Sequence, residues 1–336
     1  MAEAVRIPSF LLALALALGC GPEPGEVEGA PSPALRVALL TPGSTADGGW
    51  NQGAYEGLLR IRAELGAEIS HVETRTPADF EDGFRDYASR GFDLVFGHGF
   101  EYQQAAAKVA SEFPATVFIT TSGNTVRPNL APMVFELEQA TYLAGFLAGR
   151  MSRTGTVGMV GGIDLPSIRS TFLAFRAGAE ASSRKVVVRE VFIGNFSDTA
   201  SAREAALALL EEGADFLIHQ ANDAGRGVFQ AVADRAAAGE TVYAFGTNRD
   251  QREMAPEVVI ASAVIDLPGA FLEVARRVRE GTFEPAPLHL GMAEGIVDLV
   301  LNPELSDRIP VELMGELRSL DERIRSGEFA VPRAAF

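Results

Sequence analysis

The chain of 336 residues carries 45 acidic side chains against 29 Lys and Arg, a formal net charge of −16, and is 47% hydrophobic. That acidity argues against a nucleic-acid partner, which needs a clustered cationic face, and the apolar content is enough for a large core. A single cysteine, Cys20, excludes disulfide staples, a CxxC redox pair and a cysteine-based zinc site.

At the N-terminus, Phe10 to Leu18 are all Phe, Leu or Ala, preceded by Arg6 and followed by Gly19 and Cys20. The run is too short to cross a bilayer of about 30 Å as a helix and reads as a secretory signal over residues 1–19. A leftover cysteine in an exported chain is reactive, paired with another chain, or covalently used; behind a signal segment the third role is favoured. Ala17-Leu18-Gly19-Cys20 resembles a bacterial lipoprotein signal, although Ala17 and Leu18 stand where Leu and a small residue are usual. The resemblance implies a lipid on Cys20, with each buried CH₂ contributing about 0.8 kcal/mol to membrane anchoring. Residues 20–33, rich in Pro, Gly and Glu, form the expected tether. No later apolar run reaches the roughly 18–20 residues of a transmembrane helix.

From Leu35 onward, short apolar or β-branched runs alternate with amphipathic segments. Expected strands include Arg36–Leu40, Asp93–Phe96, Thr116–Thr120, Thr156–Val160, Lys185–Phe192, Asp215–Ile218 and Thr241–Phe245; expected helices include Tyr102–Phe113, Ala140–Met151 and Ala200–Glu212. This is the pattern of parallel sheets with helices on both faces. Gly91-Phe92-Asp93-Leu94-Val95-Phe96-Gly97-His98 is echoed about 120 residues later by Gly213-Ala214-Asp215-Phe216-Leu217-Ile218-His219. An Ala-rich helix follows each, then Thr116-Val117-Phe118 and Thr241-Val242-Tyr243. Two similar doubly wound lobes are expected, with a cleft between the carboxyl ends of their strands. His98 and His219 would line it from opposite sides.

The loop after the first strand, Thr41 to Gly57, is glycine-rich and holds the only Trp, flanked by Asp47 and Asn51. An aromatic plane beside a carboxylate and an amide suits a flat, hydrogen-bonding ligand. Base stacking is worth about 1–3 kcal/mol, comparable with burying the ring in the core, so Trp50 is either a stacking surface or a helix-entry core residue. Asp47 is either a ligand contact or a helix-capping residue.

Asp47-Gly48-Gly49-Trp50-Asn51-Gln52-Gly53-Ala54-Tyr55-Glu56-Gly57 resembles the first-loop signature of the basic-membrane-protein family of substrate-binding lipoproteins. The likeness continues through Glu138 to Gly145, Gly161 to Arg169, Gly194 to Asp198 and Gly227 to Ala231. It implies the two-lobed periplasmic-binding-protein (type I) fold, an ABC permease as partner, no cofactor and no enzymatic activity. It further implies that Trp50 stacks on the ligand, that Asn51 reaches its polar edge, that Asp164 lies where the cleft closes, and that Phe229 is a second aromatic from the other lobe. Phe229 has an equal alternative as a helix core residue.

Departures bear on the ligand. Gly246-Thr247-Asn248-Arg249-Asp250-Gln251 carries an amide at Asn248 where family nucleoside binders usually have a ribose-binding Asp, and their Lys near Ile265 is missing. Asn222 and Asp223 add polar groups at a turn often built from glycines. A purine nucleoside is the leading ligand class, with a bare purine base or a flavin as alternatives, and a ligand-sensing partner of a membrane receptor as the alternative role. An enzyme would need acid and base from carboxylates such as Asp47, Asp164 and Asp223, but no P-loop, GxSxG elbow or HExxH motif accompanies them. Lobe 1 is expected over 34–137 plus 264–285 and lobe 2 over 138–263 plus 286–336, with hinge crossovers near 137–139, 263–267 and 285–290.

Overall fold

The computed structural model describes residues 34–182 and 185–334, together with Met1. The expected signal segment, Cys20 and the tether lie outside the described residues.

In chain order the first lobe contributes β1 (Arg36–Thr41), α1 (Trp50–Leu65), β2 (Glu68–Glu73), α2 (Pro77–Ser89), β3 (Leu94–Gly97), α3 (Gln103–Ala110), β4 (Val117–Thr121) and β5 (Leu130–Phe135). The chain then crosses into α4 (Glu138–Met151), β6 (Thr156–Gly161), α5 (Pro166–Glu180), β7 (Val187–Phe192), α6 (Thr199–Glu211), β8 (Phe216–Gln220), α7 (Gly225–Ala237), β9 (Tyr243–Asn248) and β10 (Val259–Ile265). It returns for α8 (Leu267–Glu280) and β11 (Leu288–Leu290), and ends in β12 (Val297–Leu301) and α9 (Val311–Arg325).

Among the described residues two six-stranded sheets form, ordered β11-β5-β4-β3-β1-β2 and β12-β10-β9-β8-β6-β7. The first sheet is parallel throughout. The second is parallel except for β12, which runs antiparallel beside β10. The central strands are apolar along almost their whole length because helices cover both faces; β1 buries every residue after Arg36, and β5 all six of its own. Edge strand β7 instead has no fully buried residue. The fold is thus the two-lobed, doubly wound type I arrangement, and the two sheets share one strand order.

The repeat does equivalent work in both lobes. Asp93 Oδ2 accepts the Arg36 N–H at 2.7 Å, at the start of β1. Asp215 accepts from Ser152 Oγ and from the N–H groups of Arg153 and Thr154, just before β6. Each Asp fixes the entry of its lobe's first strand by satisfying loop donors that burial would otherwise strand.

One boundary differs from expectation. Residues 288–290 pair with β5 at the edge of the first sheet, so they do not belong with the second lobe as the 286–336 assignment has it. The strand is only three residues long, and its place is decided by the free edge that β5 offers rather than by any local pattern. The last passage between sheets falls between Leu290 and Val297.

Candidate functional site

Between the lobes, at the carboxyl ends of the strands, lies a cavity walled by residues from both. Pro42 follows β1, Gly99 to Glu101 follow β3, Ser122 follows β4, and Phe135 ends β5. Across from them Leu165 follows β6, Phe196 follows β7, Gln220 and Asn222 sit at the end of β8, and Asn248 ends β9. The gap is narrow: about 90 Å³ is open to the centre of a water molecule, within about 700 Å³ of empty volume that includes the mouth. A larger hollow of about 520 Å³, lined by Arg153, Asp215, Tyr243 and Arg308, lies at the opposite, amino ends of the second lobe's strands. Ligands of open α/β sheets bind at the carboxyl ends, so the interlobe cavity is the candidate site.

Backbone strain singles out the same place. Among the described residues, Ser122 (φ 62°), Asn222 (φ 48°) and Asn248 (φ 67°) are the non-glycine residues with positive φ. All three line the cavity. Left-handed backbone at a residue with a Cβ costs about 1–3 kcal/mol and concentrates where a site needs a side chain aimed off the regular path.

Trp50 opens α1 and stands half-buried at the cavity wall. One face of its ring is covered by His98, with centroids 4.0 Å apart and planes at 21°, and Phe135 meets it edge-on at 6.0 Å. His98 Nε2 donates to the Trp50 carbonyl at 3.0 Å, and its Nδ1 faces Thr121 Oγ1 at 3.3 Å. Burial pushes the imidazole pKa down to about 3, so His98 is a neutral prop beneath Trp50, behind the wall rather than on it. His219 also misses the cavity lining: it donates from Nε2 to Gln251 Oε1 at 3.0 Å, and burial lowers it to about 4.

Asp47 takes the capping role. Its carboxylate accepts from the N–H groups of Gly49, Asn51 and Gln52 at 2.9–3.0 Å, while Gly49 offers no side chain to do so. Asn51 is buried outside the lining, and its Oδ1 has no hydrogen-bond partner among the described residues. Asp164 is exposed and held two-pronged by Arg169, both contacts at 2.5 Å, which keeps its pKa below the usual carboxylate range. Asp223 pairs with Arg226 at 2.7 Å. Neither carboxylate lines the cavity, whereas Asn222 and Asn248 do.

Phe229 is 2% exposed on α7, edge-on to His219 at 5.0 Å, in the second lobe's core with Val228, Ala231 and Val232. It takes the core alternative, because the inward face of α7 leaves it no route to the cleft. The second lobe's aromatic at the cavity is Phe196. It packs so closely on Gly162 that a Cβ there would fall 2.2 Å from its Cδ1. Glu101, Ser122, Phe135 and Gln220, also on the wall, were likewise passed over in the sequence reading.

The lobes touch across the first loop. Gln251 Nε2 donates to the Gly48 carbonyl at 3.2 Å, Arg226 Nη2 to the Ala46 carbonyl at 3.1 Å, and Arg249 pairs with Glu56 at 3.0 Å.

Two sheets facing one cleft, strained residues at the strand ends and a half-open aromatic ring define a two-lobed solute-binding protein. Residues 34–335 match the Bmp family, described as ABC transporter substrate-binding protein PnrA-like. The chain belongs to that family, and its general role is that of a non-catalytic substrate-binding protein of an ABC importer. It is 29% identical over 323 residues to basic membrane protein A of Borreliella afzelii, covering 94% of this chain and 95% of that one. A purine-binding protein of Brucella abortus is 25% identical, with 88% of this chain and 82% of that one covered. Among solved structures, an ABC-transporter solute-binding protein of Conexibacter woesei superposes with a TM-score of 0.73 at 32% identity, covering 89% of this chain and 99% of that chain.

Proposed function

We propose that the chain captures a purine nucleoside in the interlobe cavity for an ABC permease, and that Cys20 carries the lipid that keeps it at the membrane surface. The observation that carries the ligand class is the slot itself: Trp50 walls it from one lobe and Phe196 from the other, and the strained Ser122, Asn222 and Asn248 reach into it. A flat heterocycle uses aromatic faces for about 1–3 kcal/mol per stacked base and the amide and hydroxyl groups for its polar edge. The purine-binding relative in Brucella abortus supports this class.

Capture proceeds by hinge closure, since contacts to both lobes favour the closed arrangement only while ligand bridges them. The Gln251 and Arg226 contacts to the first loop, with the Arg249 pair to Glu56 on α1, then hold the closed form. Trp50 is the sole tryptophan, so its fluorescence reports the cavity directly. Titration with purine nucleosides should quench or shift the emission saturably, and bases or riboflavin should do so more weakly. Silence across the nucleosides would remove this reading.

A further inference from the structure

Among the described residues, the cavity wall carries one ionisable side chain, Glu101. The other carboxylates near the strand ends are committed, Asp47 to backbone donors and Asp164 and Asp223 to arginines. Glu101 differs: no basic group pairs with it among the described residues, and its one hydrogen-bond donor is its own backbone N–H. It sits in the short turn Phe100–Tyr102 after β3, folded back over Gly99. A Cβ on Gly99 would fall 2.4 Å from Oε2 and 2.9 Å from Oε1, so the carboxylate occupies the space that a side chain at position 99 would take. The residue is exposed at the mouth of the gap, and the walls beside its carboxyl raise its pKa above the usual carboxylate range. With no basic partner, the carboxylate is open to a donor that enters.

The other polar groups on the wall, Ser122, Gln220, Asn222 and Asn248 among them, can each donate or accept and so discriminate weakly between ring edges. An ionised carboxylate can only accept, through two oxygens side by side. We propose that Glu101 is the specificity-determining residue of the site, and that it selects a ring presenting two adjacent N–H donors: the guanine edge, with its ring N1–H and 2-amino group, over the adenine edge, with its N1 lone pair. This assignment rests on the nucleoside reading above. Paired N–H···O⁻ bonds of this kind are roughly twice as strong as neutral ones. Adenine's N1 lone pair faces one carboxylate oxygen with no proton between them, so at most one of the two acceptors, through the 6-amino group, is paired, and a buried acceptor left unpaired discriminates strongly.

The test is calorimetric titration of the purified chain and its Glu101→Gln variant with guanosine, inosine and adenosine. The wild type should bind guanosine tightest, inosine next, and adenosine at least about tenfold more weakly. A glutamine amide offers one acceptor and one donor, the complement of the adenine edge, so Glu101→Gln should lose the guanosine preference and bind adenosine better than the wild type does. Glu101→Asp, which keeps two acceptors on a shorter arm, should keep the order of preference. Melting curves of the ligand-free proteins establish that each variant is folded. Equal affinity for guanosine and adenosine in the wild type, or an unchanged ratio in Glu101→Gln, overturns the assignment while leaving nucleoside capture intact. Binding of choline that Glu101→Gln abolishes would make the carboxylate a counter-ion and overturn it too. Absence of binding by all three nucleosides refutes the nucleoside reading, and this assignment with it.

Discussion

Replacing Trp50 by Ala separates the two uses of that ring. One face is already covered by His98 at 4.0 Å, so only the other face is free for a ligand, and the ligand should lose one stacking partner. At about 1–3 kcal/mol per stacked base, and 1.4 kcal/mol per tenfold change in Kd, affinity should fall by about 5- to 140-fold. The variant has no tryptophan, so the assay is isothermal calorimetry, with a melting curve to establish that the chain is folded. Trp50→Phe, which keeps a smaller ring over His98, should recover most of the loss. The prop itself provides a second reading: with its cover removed, the His98 pKa should climb from about 3 toward the ordinary 6.5, followed by the imidazole resonances in NMR. A folded Trp50→Ala protein that binds as tightly as wild type would refute the reasoning and leave Trp50 a core residue that merely borders the gap.

Four further variants test the geometry. Glu138, buried at the start of α4 where the chain crosses between lobes, has its carboxyl pushed up to about 7 by desolvation. The folded state therefore holds a proton that the unfolded state releases near 4.5, and stability from this group falls as pH rises between those values. The Glu138→Gln variant should match wild type near pH 4 and become the more stable form above pH 7, by up to about 3 kcal/mol in denaturant unfolding; a constant difference across pH would contradict this. Gln251→Ala removes the acceptor of both His219 Nε2 and the Thr247 N–H, together with the donor to Gly48. It should cost about 1–3 kcal/mol of stability for the buried groups left unpaired and speed ligand release, read by melting and by stopped-flow fluorescence. Phe196→Ala should weaken binding on the same scale as Trp50→Ala, whereas Phe229→Leu should leave Kd within about twofold and lower stability by about 1 kcal/mol.

The alternation of apolar runs and helices was legible because strands buried on both faces must be apolar throughout; β1, β3 and β8 show this plainly. The site was legible in part. Trp50, Asn222 and Asn248 line the cavity, and each sits in a stretch whose glycine or amide content signals irregular backbone. Asp164 and Asp223 misled for a reason also written in the sequence: each has an arginine three to five residues on, Arg169 or Arg226, and a carboxylate so placed is already neutralised. Glu101 has no such neighbour, which is the signal that would have found it. Phe229 stands in a helix whose other apolar side chains turn inward with it, whereas Phe196 follows a strand end. Place relative to the sheet, rather than residue type, separates those two rings.

The histidines show how fine that dependence is. His98 lies five residues after Asp93, and His219 four after Asp215. Side chains on a strand alternate between faces, so a one-residue offset between otherwise matching copies sends the two rings to opposite sides of their sheets. His98 turns toward the helices that flank β1, against Trp50 and Phe271. His219 turns toward α7, which follows its own strand, against Phe229 and Gly225. One copy thereby props an aromatic ring at the cavity wall. The other anchors Gln251, whose amide reaches across to the first loop of the opposite lobe. The same buried, neutral imidazole thus holds a surface in the first lobe and a clasp in the second.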